Sequence, residues 1–241
     1  MSIQNLNLKI NDKEFNCQEC NDKGYLTDKH GNFLKYCNCE VKKHNKEILI
    51  NNLNKSGLRD VVKRYTFDNY IINHDWQRDY KNRIISFAND HSRAFIMLGQ
   101  TGLGKTHLMS ALTIELMRKG KNAHYVKWQD IIISAKNNYG NIDPKLLEII
   151  RNVEVLYIDD FLKVKSIKDI SNIEYEIANL IIDTRESDKD LITLLSSELS
   201  LEQLGAFNGA LTGRLIEMCG GVNSKNIINS DYKENGNYRL K

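Results

Sequence analysis

A single proline, Pro144, occurs in 241 residues, which excludes a proline-rich stalk or linker. The chain does not open on a basic stretch followed by an apolar run, so no signal peptide is expected and the expected location is cytoplasmic. Its longest apolar stretches, such as Ala94–Leu98, fall far short of a membrane span. Net charge is scarce as well. Against 34 basic residues stand 31 acidic ones, and +3 is too near balance to argue for wrapping nucleic acid. Five cysteines, an odd number without an export signal, make a poor disulfide framework. No internal repeat is apparent, and the many asparagines are scattered.

What is present is enough to fold. Apolar residues make up 41% and charged residues 27% of a 27.9 kDa chain, room for one core and a small extra module. Residues 1–64 carry 12 basic and 8 acidic side chains, the remainder 22 and 23. The slight positive excess therefore sits at the front, where metal-bound thiolates would cancel part of it.

Four cysteines crowd that front: Cys17-x-x-Cys20 and Cys37-x-Cys39. The residues between them read as a hairpin, with short strands around Tyr25 and Phe33 and Gly31 at the turn. A segment with so few large apolar groups cannot close by burial alone. Two pairs of thiolates on two turns can complete a tetrahedral sulfur site, for which redox-inert zinc is the natural occupant. Iron and four unbound thiols are the competing readings. Residues 1–42 are read as a zinc-binding segment and 43–64 as a linker helix broken near Gly57. His30 and His44 are spare, and Cys219 reads as a core thiol.

From residue 65 to 241, strand and helix patterns alternate. Helices are expected over 76–89, 105–118, 129–137, 173–185, 200–204 and 210–218, with another starting at Pro144 and capped by Asp143. Strands are expected over 94–98, 123–127, 153–158 and 191–195. That alternation predicts an α/β fold, a mostly parallel sheet covered on both faces.

Gly99-Gln100-Thr101-Gly102-Leu103-Gly104-Lys105-Thr106 follows one such strand and opens a helix. Its glycines let successive N–H groups point inward around a β-phosphate. Lys105 adds a cation for the β/γ oxygens, Thr106 a hydroxyl for Mg²⁺, and the helix its positive end. A chance match would lack the strand and helix. Val155-Leu156-Tyr157-Ile158-Asp159-Asp160 supplies the partner motif, an apolar strand expected beside the loop strand. Asp159 is assigned to magnesium and Asp160 to the attacking water, as general base. No dinucleotide fingerprint occurs near the chain start.

With these motifs in place, the chain resembles the bacterial and phage replicative helicase loaders of the AAA+ class, the DnaC/DnaI-like group. It is also similar to the IstB-type transposition ATPases. The residues that carry the resemblance are Gly99–Leu108, including His107, the double aspartate, the cysteine-bearing front, and Arg64-Tyr65-Thr66-Phe67-Asp68-Asn69-Tyr70. The resemblance implies an AAA+ P-loop core binding ATP, and an entry segment packed beside the nucleotide. It also implies a polar sensor at Ser196-Ser197-Glu198. There Glu198 replaces the group's asparagine, and an ionised carboxylate cannot donate to phosphate, so Ser197 shares the sensor role. Arg214 falls where the group places an arginine finger, although by pattern alone it is a surface residue of an amphipathic helix. Arg185 matches an arginine read as a contact with another subunit or with the residues that touch the nucleotide, and Tyr238-Arg239 is a faint match to a late arginine sensor.

The implied function is an ATPase that helps place a hexameric replicative helicase on single-stranded DNA, with self-association through the ATPase domain and the zinc front docking the helicase. Lys163, Lys165 and Lys168 offer a short basic run for DNA phosphates, or a solvated face. A transposition helper, and a zinc adaptor that binds nucleotide without hydrolysing it, are the alternatives.

Overall fold

The computed structural model of the protein describes residues 17–41, 43, 56–58, 64–90, 92–164 and 166–230. The expected linker helix falls mostly outside this set, as do Lys165, His44 and Tyr238-Arg239. Of the linker, Gly57 is described with φ +74, and the preceding Ser56 carbonyl accepts from the Tyr125 amide at 2.6 Å. Added to Gly57, a Cβ would lie 2.7 Å from the Tyr125 carbonyl oxygen, so this close approach requires glycine.

At the front, β1 (Tyr25–Thr27) and β2 (Phe33–Tyr36) pair antiparallel, with Tyr25 opposite Tyr36. The connecting turn is closed by Asp28, whose carboxylate accepts from the His30 and Asn32 amides at 2.8 Å each. Those donors, Asn32 foremost, hold the Asp28 carboxyl below its ordinary range. Gly31 takes φ +86, as the hairpin reading requires.

Behind it, the apolar runs become five parallel strands: β3 (Ala94–Gly99), β4 (Ala123–Lys127), β5 (Val155–Asp159), β6 (Ile192–Ser197) and β7 (Ile227–Ser230). Their order is β4-β5-β6-β3-β7. The helices are α1 (Asp75–Phe87), α2 (Lys105–Arg118), α3 (Trp128–Asn137), α4 (Pro144–Asn152), α5 (Asn172–Ser187), α6 (Leu201–Phe207) and α7 (Gly209–Met218). Asp143 caps α4 through the Lys145 and Leu146 amides, and Ser171 with Glu174 closes a capping box on α5. Ala94, Ile96 and Leu98 pack into one cluster with α3, α4, α5 and α7, whereas Phe95 and Met97 join a second with α1 and α2. A strand buried on both faces is why β3 reads as an unbroken apolar run. The result is an α/β fold, a parallel sheet with helices packed on both faces.

Two expectations are corrected. The double-aspartate strand is not beside the loop strand: β6 lies between them. Sequence order does not set sheet order when every connection is a helical crossover, and the result is that the end of β6 faces both phosphate loop and aspartates. Secondly, β7 was not expected at all. Its four residues are too short for periodicity to register, yet β7 covers the far side of β3.

Arg185 is a third correction. It is fully buried, so it cannot reach another subunit. Its Nε donates to Thr193 Oγ1 at 2.8 Å, and its terminal nitrogens donate to the carbonyls of Ile150, Val153, Glu154 and Ile192. Burial lowers its pKa to about 10. The guanidinium ties the end of α4 to the starts of β5 and β6. Arg185→Met would strand those acceptors and is expected to cost about 2–3 kcal/mol. Urea unfolding checks this, and a loss below about 0.5 kcal/mol would contradict the tie.

Candidate functional site

The site forms where the C-terminal ends of β3, β5 and β6 meet, the crevice in which open α/β sheets hold ligands. Gly99, Gly102 and Gly104 all take positive φ, at +119, +86 and +79. A Cβ on Gly99 would meet the Ser230 carbonyl oxygen at 2.3 Å, so the loop leaves β3 pressed against β7. Gly104 is the N-cap of α2. A Cβ there would lie 2.9 Å from the Tyr70 ring.

Lys105 is buried within the loop, its ammonium donating to the Gly99 and Gln100 carbonyls at 2.6 and 2.7 Å. Burial lowers its pKa to about 8, against the opposing pull of Glu198, Asp160 and Asp159. Thr106 Oγ1 donates to Asp159 Oδ1 at 3.1 Å, which brings the two expected magnesium ligands together. Asp159 is buried, and three further hydroxyls converge on it. Tyr157 donates to Oδ1 at 2.8 Å and Tyr125 to Oδ2 at 3.3 Å, while Ser196 forms a short bond to Oδ1. Negative charge at Asp159 and burial push both tyrosine hydroxyls well up, burial foremost. They stay donors. Hard oxygen donors of this kind suit Mg²⁺.

A cavity of about 240 Å³ spans Thr101, Gly102, Lys105, Thr106, Asp160 and Glu198. Asp160 lies in the turn after β5 with φ +56, and its carboxylate pairs with Lys163 at 2.9 Å. Lys163 also pairs with Glu198 at 3.3 Å. The expected DNA-facing lysine is therefore committed to two carboxylates inside the site, and Lys168 is exposed.

Ser197 is directed elsewhere. Its buried hydroxyl donates to the Phe161 carbonyl at 2.6 Å and accepts from the Leu199 amide. Its neighbour Ser196 meets the aspartates, contacting Asp159, the Asp160 amide and Tyr157. Sequence reading placed Ser196 in the sensor stretch but gave the role to Ser197, and it missed Tyr125 and Tyr157, because a strand-end hydroxyl has no spacing signature. Only the alternation along β5 and β6 could have suggested which side chains share a face.

His107 Nε2 lies 2.9 Å from the Thr66 carbonyl oxygen and 3.0 Å from Asn69 Oδ1, with the Tyr65 and Tyr70 rings about it. Burial lowers its pKa. The entry segment is thereby fastened against α2. A second cavity, of about 160 Å³, opens between Asn69, Tyr70, Ile71 and the Gly102–Gly104 backbone.

At the front, Cys17, Cys20, Cys37 and Cys39 hold their sulfurs within 4.8 Å of one another. The close pairs are Cys17–Cys37 at 3.6 Å and Cys20–Cys39 at 3.4 Å. Tetrahedral zinc with bonds of about 2.3 Å requires sulfurs roughly 3.8 Å apart, which this cluster approaches. Backbone amides at Cys20 and Glu19 lower the Cys17 thiol to about 7, whereas burial and the adjacent sulfurs push Cys39 up. Packed thiols resist ionising together, and a dication removes that resistance. Cys219 is buried in the core against the parallel sheet, and burial raises it to about 12.

Residues 61–220 match the family described as the bacterial DnaA ATPase domain. The chain is also 33% identical over 152 residues to the replicative helicase loader DnaC of Buchnera aphidicola subsp. Acyrthosiphon pisum, covering 60% of each chain. The chain belongs to that DnaA-type AAA+ ATPase family, and within it is similar to the DnaC loaders. Among solved structures, this AAA+ ATPase resembles a DnaC helicase loader with TM-score 0.55 and 21% identity, covering 64% of this chain and 92% of that one. It resembles DnaI with TM-score 0.55 and 18% identity, covering 73% and 91%. The chain spans 56–60% of the length of the first curated relatives it matches. Among the described residues of this family member, no helix is long and apolar enough to cross a membrane.

Arg214, on α7, pairs with Asp183 at 2.7 Å and with Glu186 at 3.9 Å, both on α5. Within one chain, the expected arginine finger is thus anchored to its own helix neighbour.

Proposed function

We propose that the protein is an ATP-dependent helicase loader, which binds a replicative hexameric helicase and helps place it on single-stranded DNA. The observation that carries the ATP-dependent part is the convergence of Thr106 and Asp159 beneath the Lys105 loop. The loader part rests on the likeness to the DnaC relatives.

Thr106 and Asp159 would hold Mg²⁺, which supplies charge neutralisation for the phosphates when bound. The loop amides from Gly99 to Thr106 would cradle the β-phosphate, with Lys105 over the β/γ oxygens. Gln100, Thr101 and Leu103 would contribute backbone there, and His107 would hold the entry segment against the nucleotide. Asp160 would accept the proton of a water whose oxygen bonds to the γ-phosphorus as the bond to ADP breaks. Ser196, in place of Ser197, would orient the acidic pair. Arg214 would act on a neighbouring subunit's nucleotide by exchanging Asp183 for phosphate upon self-association. Cys17, Cys20, Cys37 and Cys39 would hold zinc, and the segment through residue 42, with the 43–64 linker, would dock the helicase.

Asp160→Asn is expected to lower ATP turnover at least a hundredfold while ATP still binds. Turnover is measured with and without single-stranded DNA. The Asp160–Lys163 pair gives weight to one rival reading, a zinc adaptor that binds nucleotide without cleaving it. Equal, negligible turnover in wild type and D160N would favour that rival. A pull-down with ATP and Mg²⁺ tests the client: recovery of a transposase instead of a replicative helicase would replace the loader by a transposition helper.

A further inference from the structure

The turn after β5 is built in an unusual way. Asp160 and Leu162 both take left-handed backbone, φ +56 and +53. Aspartate tolerates that region, but a branched apolar residue rarely does. The conformation is over-determined by burial. Phe161 and Leu162 are both fully buried, and the Phe161 ring meets Trp128 edge-on at 4.9 Å. The Phe161 amide donates to the Ser196 carbonyl at 2.8 Å. With its middle residues inserted in the core, the turn closes through the Lys163 amide on the Asp160 carbonyl at 3.1 Å. The Lys163 ammonium is thereby sent back over the phosphate cavity, where it bridges Asp160 and Glu198.

This bridge answers a chemical deficit. Glu198 directly follows the end of β6, and when ionised it can only accept hydrogen bonds. It cannot contact a phosphate oxygen favourably by itself. Lys163 can, and it lines the same cavity as Lys105 and Thr106. We infer that Lys163, carried by Glu198, is the group that distinguishes ATP from ADP. A γ-phosphate brings about two negative charges to the cavity, against one on Asp160. The ammonium shifts from Asp160 to the phosphate and remains paired with Glu198, since it has three donors to distribute. The same shift frees the Asp160 carboxylate to face water. ADP, which lacks the γ-phosphate, leaves the Lys163–Asp160 pair in place.

The inference rests on the phosphate-loop reading above and is tested by binding as well as turnover. ADP and the β,γ-methylene analogue of ATP are titrated, each with Mg²⁺, into wild type, Lys163→Met and Lys163→Arg. In K163M, the preference for the triphosphate is expected to fall about tenfold, with ADP affinity changed less than about twofold. K163R retains a cation and is expected to keep most of the preference. Thermal unfolding accompanies each titration. An unchanged preference in K163M overturns the inference while leaving the loop assignment standing. Equal losses for both nucleotides overturn it also, because they would show that Lys163 only supports the site's shape. Failure of wild type to bind either nucleotide overturns both readings.

Discussion

Lys105→Ala is expected to weaken ATP and ADP binding together by about a thousandfold, roughly 4 kcal/mol. The size follows from where the ammonium lies. It is buried at the centre of the loop, bonded to the Gly99 and Gln100 carbonyls, and already pulled by three carboxylates. Nucleotide phosphates would replace those carbonyls with charged acceptors, each worth about 1.5–3 kcal/mol. No other side chain takes over that position, because Lys163 reaches the cavity from the turn after β5, where Asp160 and Glu198 hold it. Folding should lose about 1–2 kcal/mol, because the Gly99 carbonyl freed is buried at the end of β3 while that of Gln100 is half-buried in the loop. Isothermal titration with each nucleotide decides it, and near-normal affinity would contradict the loop assignment. The contrast with K163M separates the two lysines: Lys105 for any phosphate chain, Lys163 for its third phosphate.

The phosphate loop was legible because its geometry is local. Three glycines at fixed offsets, a lysine and a threonine define a backbone path that needs little from the rest of the fold. The same is true of Asp143 and Pro144, whose capping role depends on the next three residues. Where meaning depended on sheet order, the sequence was mute. Nothing in the run Thr193–Ser197 announces that β6 separates the loop strand from the aspartates. Ser197 was therefore chosen where Ser196 faces the site, one residue away and on the opposite face of the strand. Arg185 misled for a related reason. Its match to the group's arginine reads as a contact with another subunit, and only its five contacts make it an internal tie. Lys163 shows the converse: a lysine in a basic run that the turn after β5 directs into the site. Glu198, noted in the sequence as a departure from the usual amide, acquires its partner only in three dimensions.

Removal of the proposed zinc is expected to undo the front of the molecule and spare the rear. Cys17→Ser replaces a thiolate by a hydroxyl that neither ionises near neutral pH nor suits zinc. Bound zinc should fall from one per chain to near zero, and the 17–41 amides should lose their exchange protection. The reason is the poverty of the segment's other interactions. Its strands are three and four residues long, and Phe33 and Tyr36 are 57% and 65% exposed. A two-stranded hairpin of that kind is marginal in water. Structural zinc supplies on the order of 10–16 kcal/mol, far more than one hairpin's contacts, so losing it is decisive. The ATPase core has independent means: two apolar clusters on the two faces of a five-stranded sheet. Nucleotide affinity in C17S should accordingly stay within about twofold of wild type. Cys219→Ser is the matching control, since Cys219 lies in one of those clusters and should leave zinc content unchanged. Retained zinc in C17S would sink the four-cysteine site. Lost zinc with lost nucleotide binding would instead mean that the metal holds the core as well, a coupling that no contact between the sulfur cluster and the phosphate loop suggests among the described residues.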